Sequence, residues 1–177
     1  SGAVDTQSFT ITVSNVNDQP TVTSTAVTAA KEDSAYSYTF AASDVDTGDT
    51  ITYAATTLPS WLSINSNTGV LSGTPTNSEV GARSVVLTAT DASGTVDTQS
   101  FTITVSNVND APMVTSTAPT TAKEDSAYSY TFAASDVDSG DTVTYAATTL
   151  PSWLAFDAGT GVLSGTPTNS EVGTHTV

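Results

Sequence analysis

The chain is 177 residues long, contains no cysteine and sets three basic side chains against 18 acidic ones, a net charge of −15. That field excludes nucleic acid as a natural partner and repels anionic membranes and glycans unless a cation intervenes. Without cysteine there is no disulfide, thiolate metal site or cysteine nucleophile, and no apolar run reaches the roughly 18 residues of a membrane-inserting helix.

The stretch from Ser1 to Asp18 returns from Ser93 to Asp110 with one change, Ala3 becoming Thr95, and residues 19–85 return as 111–177 with 14 changes. This spacing of 92 sets the domain size. Residues 1–18 read as the last strand and linker of a preceding module, 19–110 as a complete module, and 111–177 as a second module that stops before the end of its sixth strand and lacks its seventh. With no targeting signal, the sequence reads as the interior of a longer chain.

Period-two alternation runs through most of the unit, as in Phe101, Ile103 and Val105 against Thr102, Thr104 and Ser106. In chain order the candidate strands are 21–27, 35–41, 50–57, 61–64, 70–72, 84–90 and 96–106, separated by Asp-Thr-Gly-Asp, Asn-Thr-Gly, Gly-Thr-Pro and Ala-Ser-Gly turns. Seven strands per repeat predict an all-β, seven-strand Greek-key Ig-like β-sandwich in tandem.

In such a sandwich successive loops alternate between the two ends, so the acids sort by pole. Asp44, Asp46 and Asp49 after the second strand share one pole with Asp91 after the sixth. Glu32 and Asp33 before the second strand share the other with Glu79, and the last strand runs down to the linker Asn107-Val108-Asn109-Asp110, whose earlier copy is Asn15-Val16-Asn17-Asp18. In a linear array Glu32, Glu79, Asn109 and Asp110 are expected to converge on Asp136, Asp138 and Asp141 of the next module. Three carboxylates within six residues repel unless a cation sits between them. Hard, oxygen-bound calcium is the cation such a set suits, and at about 6 to 8 oxygens per ion each junction has donors for two or three.

The order of Glu32, DVDTGD, Glu79, Ala89-Thr90-Asp91 and NVND resembles the cadherin calcium pattern, and LPSWLSINSNTGVLSGTPTNSEVG resembles the dystroglycan-type cadherin-like modules of large bacterial surface adhesins. The resemblance covers the whole chain. It implies ligand roles for Glu32, Glu79, Asp44, Asp46, Asp91, Asn109 and Asp110, with Glu124, Glu171, Asp136 and Asp138 as second copies. The sequence differs from the cadherin pattern in offering one acid in the loop of Glu79 and NVND at the linker.

An EF-hand reading of DVDTGD fails, because its sixth position is Asp49 instead of Gly and its twelfth is Ala55 instead of Glu. Asp49 reads equally as ligand or turn cap. Glu32 and Asp33 are neighbours on extended chain, so one ligates and the other faces solvent, and Glu32 is the choice for ligand. Asp97 fits a strand-edge hydrogen bond better than ligation. Trp61 and Trp153 are read as core side chains in preference to sugar-stacking platforms, and His175, which replaces Arg83 of the other copy, as a surface residue. One histidine and no cysteine leave no conventional nucleophile–base pair, so no enzyme is expected.

The functional expectation is a calcium-rigidified extender or stalk repeat of a secreted or cell-surface adhesin or extracellular filament. Its partners are neighbouring modules of the same array. The alternative is a calcium-dependent module for polysaccharide binding or homophilic adhesion. The incomplete second module leaves two readings open, a window cut from a long array or completion by residues 1–18 of another copy through strand exchange.

Overall fold

Threonine, valine, tyrosine and isoleucine alternating with small polar residues favour half-buried strands, and in the computed structural model, which describes all 177 residues, the regular elements are strands and two short 3₁₀ turns. The chain divides into two compact units, Ser1–Val108 and Asn109–Val177.

In the first unit the strands are β1 (Thr21–Val22), β2 (Ala29–Lys31), β3 (Tyr36–Thr39), β4 (Ala42–Ser43), β5 (Thr52–Thr57), β6 (Leu62–Ile64), β7 (Val70–Gly73), β8 (Gly81–Thr90) and β9 (Val96–Ser106). One sheet has the order β2-β9-β8-β5 and the other β3-β7-β6, with β1 and β4 as a separate short pair. These are the two faces of an Ig-like sandwich. The last expected strand, 96–106, has the observed bounds of β9, and the others shift by one to three residues. The first expected strand, 21–27, forms only over Thr21–Val22, and the chain pairs again at Ala29–Lys31, beyond the expected bounds. Ser24 explains why: its Oγ accepts the Ala41 N–H at 2.8 Å while the Thr23 and Ser24 N–H groups both donate to the Ala41 carbonyl. The chain leaves β4 there and crosses to the other sheet, where β2 pairs parallel with β9, Ala29 opposite Thr104 and Lys31 opposite Ser106.

The inward residues of both sheets form one core: Tyr36, Tyr38 and Phe40, Leu62, Leu71, Val85, Leu87, Ala89, Ile103 and Val105. Their burial supplies the main driving force for folding. Tyr38 ties the sheets together twice. Its ring meets Phe101 edge-on at 5.8 Å, and its hydroxyl joins Ser24 Oγ at 2.7 Å and donates to Gln99 Oε1 at 2.6 Å. Trp61 is half-buried, packed against the core and edge-on to Tyr36 at 5.7 Å, as its core reading requires. Close packing leaves no room at Gly73, where an added Cβ would lie 1.9 Å from the Trp61 carbonyl oxygen.

The second unit repeats half of this plan. Strands β10 (Met113–Val114) and β12 (Ala134–Ser135) pair as β1 and β4 do, and β11 (Tyr128–Thr131), β14 (Val162–Gly165) and β13 (Leu154–Asp157) form one sheet. Tyr128 stands opposite Gly165 as Tyr36 stands opposite Gly73, so the register is the same. No strand forms over 144–149, the counterpart of β5. The sole partner of β5 is β8, and only residues 173–177 of the β8 counterpart lie within the chain.

Residues 1–20 form no strand, and Val4, Phe9, Ile11, Val13 and Val16 are exposed.

Candidate metal centre

Where β4 ends at Ser43 the chain enters a tight acidic loop. The Asp46 N–H donates to Asp44 Oδ1 at 2.9 Å, the Asp49 N–H donates to the Asp46 carbonyl at 3.2 Å, and Gly48 takes the positive φ of 96° that closes the turn. The turn gathers one oxygen from each of Asp44, Asp46 and Asp49 within 4.8 Å of one another. Asp44 Oδ2 and Asp49 Oδ2 are buried and receive no hydrogen bond. Burial, and then the charges of Asp44, Asp91 and Asp46, push the Asp49 carboxyl above its ordinary value.

The linker copy at the start of the chain lies on this loop. The Asp18 N–H donates to Asp46 Oδ2 at 2.8 Å, and Asn17 Nδ2 donates to Asp91 Oδ2 at 2.9 Å. Asp91, at the end of β8, is buried. The Thr95 hydroxyl, the Asn17 amide and the Thr95 N–H hold its carboxyl down at about 2, against the opposing effect of burial. In the second unit the same loop recurs. The Asp138 N–H donates to Asp136 Oδ1 at 2.9 Å and the Asp110 N–H to Asp138 Oδ2 at 2.7 Å. Asp136, Asp138 and Asp141 again bring one oxygen each within 4.8 Å.

At the opposite pole of the first unit Glu32 is completely buried. Its N–H extends the β2 ladder to the Ser106 carbonyl, and the next residue, Asp33, turns with φ 55° and donates its N–H to the Pro75 carbonyl at 2.8 Å. That turn aims Glu32 inward and leaves Asp33 exposed, as alternation along the chain predicts. Glu32 Oε1 accepts the Val108 N–H at 2.6 Å, while Oε2 is buried without a donor.

Glu79 is used differently. Together with Thr76 it forms a capping box around the short 3₁₀ turn Asn77–Glu79. Its Oε2 accepts the Thr76 N–H and hydroxyl and its Oε1 the Ser78 hydroxyl, which lowers its pKa. Glu171 repeats this box with Thr168 and Ser170. Glu124, Asn15 and Asn107 are exposed, and Asn109 Nδ2 donates to the Asp110 carbonyl at 2.6 Å. Asp97 accepts the Val22 N–H at 2.8 Å, the strand-edge role read from its position.

The part of Thr95 was not foreseen. Its hydroxyl donates to Asp91 Oδ2 and its N–H to Asp91 Oδ1. The signal was the single difference between the two linker-strand copies, Ala3 against Thr95.

A calcium ion suits these donors. Every candidate group is a hard oxygen, and Asp44, Asp49 and Glu32 each hold a buried oxygen that nothing in the chain satisfies. A buried, unpaired carboxylate oxygen costs stability unless a partner arrives.

The family model described as "Putative Ig domain" (He_PIG) matches residues 19–106 and 111–177. The serine-rich adhesin for platelets of Staphylococcus aureus strain MRSA252 is 39% identical over 128 residues, 72% of this chain and 9% of the relative. The adhesin of the same name from strain USA300 is also 39% identical over 128 residues, but the match is only 5% of its length. This chain therefore spans less than a tenth of either relative. Among solved structures, human Protocadherin-24 EC1-2 aligns at TM-score 0.55 and 20% identity, covering 88% of this chain and 82% of that one. Human CDH23 EC21-23 aligns at TM-score 0.50 and 20% identity, covering 86% and 55%. These cadherin domains share the sandwich fold. With both repeats matched by one family model, the chain belongs to the He_PIG family of Ig-like domains.

Proposed function

We propose that this chain is a non-enzymatic extender of a cell-surface adhesin, stiffened by calcium held at the poles of its modules. The observation that carries the reading is the contact between linker and loop. Asn17 and Asp18 are joined to Asp91 and Asp46, and beside them Asp44 and Asp49 keep buried oxygens without donors. Calcium bridging such a linker and loop would fix the angle at which the linker enters the module. It would also neutralise the mutual repulsion of the acids. Asp44, Asp46, Asp49, Asp91, Asn17 and Asp18 would supply its oxygens in the first unit, Asp110, Asp136, Asp138 and Asp141 in the second, and Glu32 at the opposite pole. The adhesins related in sequence support a role at the cell surface, with neighbouring repeats as the first partners.

Residues 1–18 are the closing strand of the module before, a reading supported by their near identity to β9 and its linker and by their exposed apolar side chains. Light scattering against concentration tests the rival, strand exchange between copies. A dimer that disappears when residues 1–14 are deleted would favour exchange.

The calcium reading is tested by melting the 177-residue chain at millimolar calcium and in chelator, beside Asp46→Ala. Saturation about a hundredfold above Kd stabilises by about 2.7 kcal/mol. Wild type should then melt at least about 10 °C higher with calcium, since each kcal/mol moves a domain of this size by about 4 to 8 °C. The variant should lose most of that gain. A wild-type shift below about 2 °C would sink the proposal. Small-angle scattering should show a larger maximum dimension with calcium than without.

A further inference from the structure

In the first unit the sheet β2-β9-β8-β5 packs one face on the core and leaves the other in solvent. Side chains alternate between the two faces along each strand, and every outward residue of β8, from Ala82 to Thr90, and of β9, from Val96 to Ser106, is Ala, Val, Ser or Thr. The antiparallel register sets them in rows, Thr88 beside Thr98 and Ser84 beside Thr102, and β5 extends one row with Thr52 beside Thr90. No acid stands on this face of a chain whose net charge is −15. Asp97, the one acid in these four strands, is half-buried and turned away, accepting the Val22 N–H at 2.8 Å. Their one exposed charge is Lys31, at the end of the edge strand β2. The repeats themselves keep the face neutral: where the two copies differ at its outward positions, Ala29, Ala82 and Ser84 give way to Thr121, Thr174 and Thr176.

We infer that this hydroxyl-and-methyl face is an interface between two copies of the chain, which associate side by side with sheet against sheet. Charge decides where two such copies can meet, since contact through the acidic loops would set like charge against like, and this face carries no acid. Chemistry makes the face complementary to itself. A Ser or Thr hydroxyl both donates and accepts a hydrogen bond, so the same patch can satisfy its own copy, as a two-fold interface requires. Geometry allows it as well, because two sheets of the same twist pack face to face about 30° apart and small side chains let them approach closely. At about 3.4 Å per residue and about 4.8 Å between strands, the four strands present about 500 Å² per copy. The pair would bury about 1,000 Å², the size of a weak, reversible contact. A cationic partner would be drawn to the acidic loops instead, and the aromatic rings of this sheet, Tyr53 and Phe101, pack toward the core where no sugar can stack on them.

Sedimentation equilibrium of the 177-residue chain in chelator, from about 1 µM to about 1 mM, tests this without calcium and so independently of the calcium proposal. The mass should climb from 17.9 kDa toward twice that value. Association should tighten as sodium chloride rises from about 20 to about 500 mM, because salt screens the repulsion between the two net charges; this is read on wild type and needs no variant to fold. Thr88→Asp and Thr102→Asp each place two carboxylates in a two-fold contact and should raise the dimer Kd at least about tenfold. Ser60→Asp, exposed ahead of β6 in the other sheet, should leave it unchanged. A chain that stays monomeric at about 1 mM in both salts overturns the inference, as does a dimer that both aspartate variants retain. A dimer lost on deleting residues 1–14 would be strand exchange, and a monomer retarded in a neutral polysaccharide gel by way of Thr88 and Thr102 would assign the face to a glycan; either result also overturns it.

Discussion

The backbone N–H of Asp18 donates to Oδ2 of Asp46 at 2.8 Å, and 92 residues later Asp110 meets Asp138 in the same way at 2.7 Å. Asp46 therefore has a structural task besides any cation. Asp46→Ala leaves the Asp18 N–H without its acceptor and is expected to cost about 1 kcal/mol in chelator. Asp46→Asn retains an acceptor oxygen. Its chelated melting temperature should stay within about 2 °C of wild type while its calcium response falls. Equal losses for both variants in chelator would contradict the contact.

Glu32 places a complete carboxylate in the interior with only one of its oxygens satisfied. Glu32→Gln keeps an acceptor for the Val108 N–H and removes the buried charge. In chelator this variant should be as stable as wild type or more so, by up to about 2 kcal/mol, and its gain from calcium should shrink. Paired denaturant melts with and without calcium measure both. A variant that is weaker in chelator and undiminished in calcium would refute the assignment.

Two carboxyls of the same loop cluster should act on acid stability with opposite signs. Asp91 has a folded pKa of about 2, held there first by the Thr95 hydroxyl, below the roughly 3.9 of an unfolded aspartate. The folded state then binds its proton more weakly than the unfolded state. Its stabilising effect is fully present above about pH 4 and is lost as pH falls toward 2. Asp49, raised first by burial, works the other way, its contribution being lost as pH climbs from the unfolded value through the raised folded one. Carboxyl 13C titration in chelator should show Asp91 protonating last and Asp49 before it. Thr95→Val should move the Asp91 midpoint upward. An unmoved midpoint would discount the hydroxyl.

Gly73 tests the packing. Alanine there would set its Cβ 1.9 Å from the Trp61 carbonyl oxygen, and the neighbour is backbone, which yields poorly. Gly73→Ala should destabilise the first unit by about 3 kcal/mol or prevent its folding, and Gly165→Ala, whose Cβ would lie 2.0 Å from the Trp153 carbonyl, should do the same to the second. Ala54→Gly on an exposed β5 position serves as the mild comparison. Unaltered melting of Gly73→Ala would mean the Trp61 loop is not held against β7.

The sandwich was legible because its strands alternate so regularly: β9 could be bounded from Val96 to Ser106 on period two alone. The acid loop was legible for a different reason, since Asp44, Asp46 and Asp49 are close along the chain and any turn brings them together. The crossing of the first strand was hidden, because it depends on Ser24 meeting Ala41, a contact between residues with ordinary strand character. Glu79 and Glu32 looked alike in sequence, yet one closes a capping box and the other is buried against Val108, a difference set by tertiary neighbours. The donors around Asp91 were missed because backbone N–H groups and a threonine hydroxyl carry no distinctive residue signature.

The parallel pairing of β2 with β9 bears on how a module responds to a pull. After the entering linker the chain passes through β1 to β2, and β9 leads to the exit, so tension transmitted past β1 draws β2 and β9 in opposite directions along their common axis. Their hydrogen bonds are then loaded together in shear and must break as a group, whereas strands peeled from one end would open one bond at a time. A module wired in this way resists extension along the chain more than its modest core alone would imply.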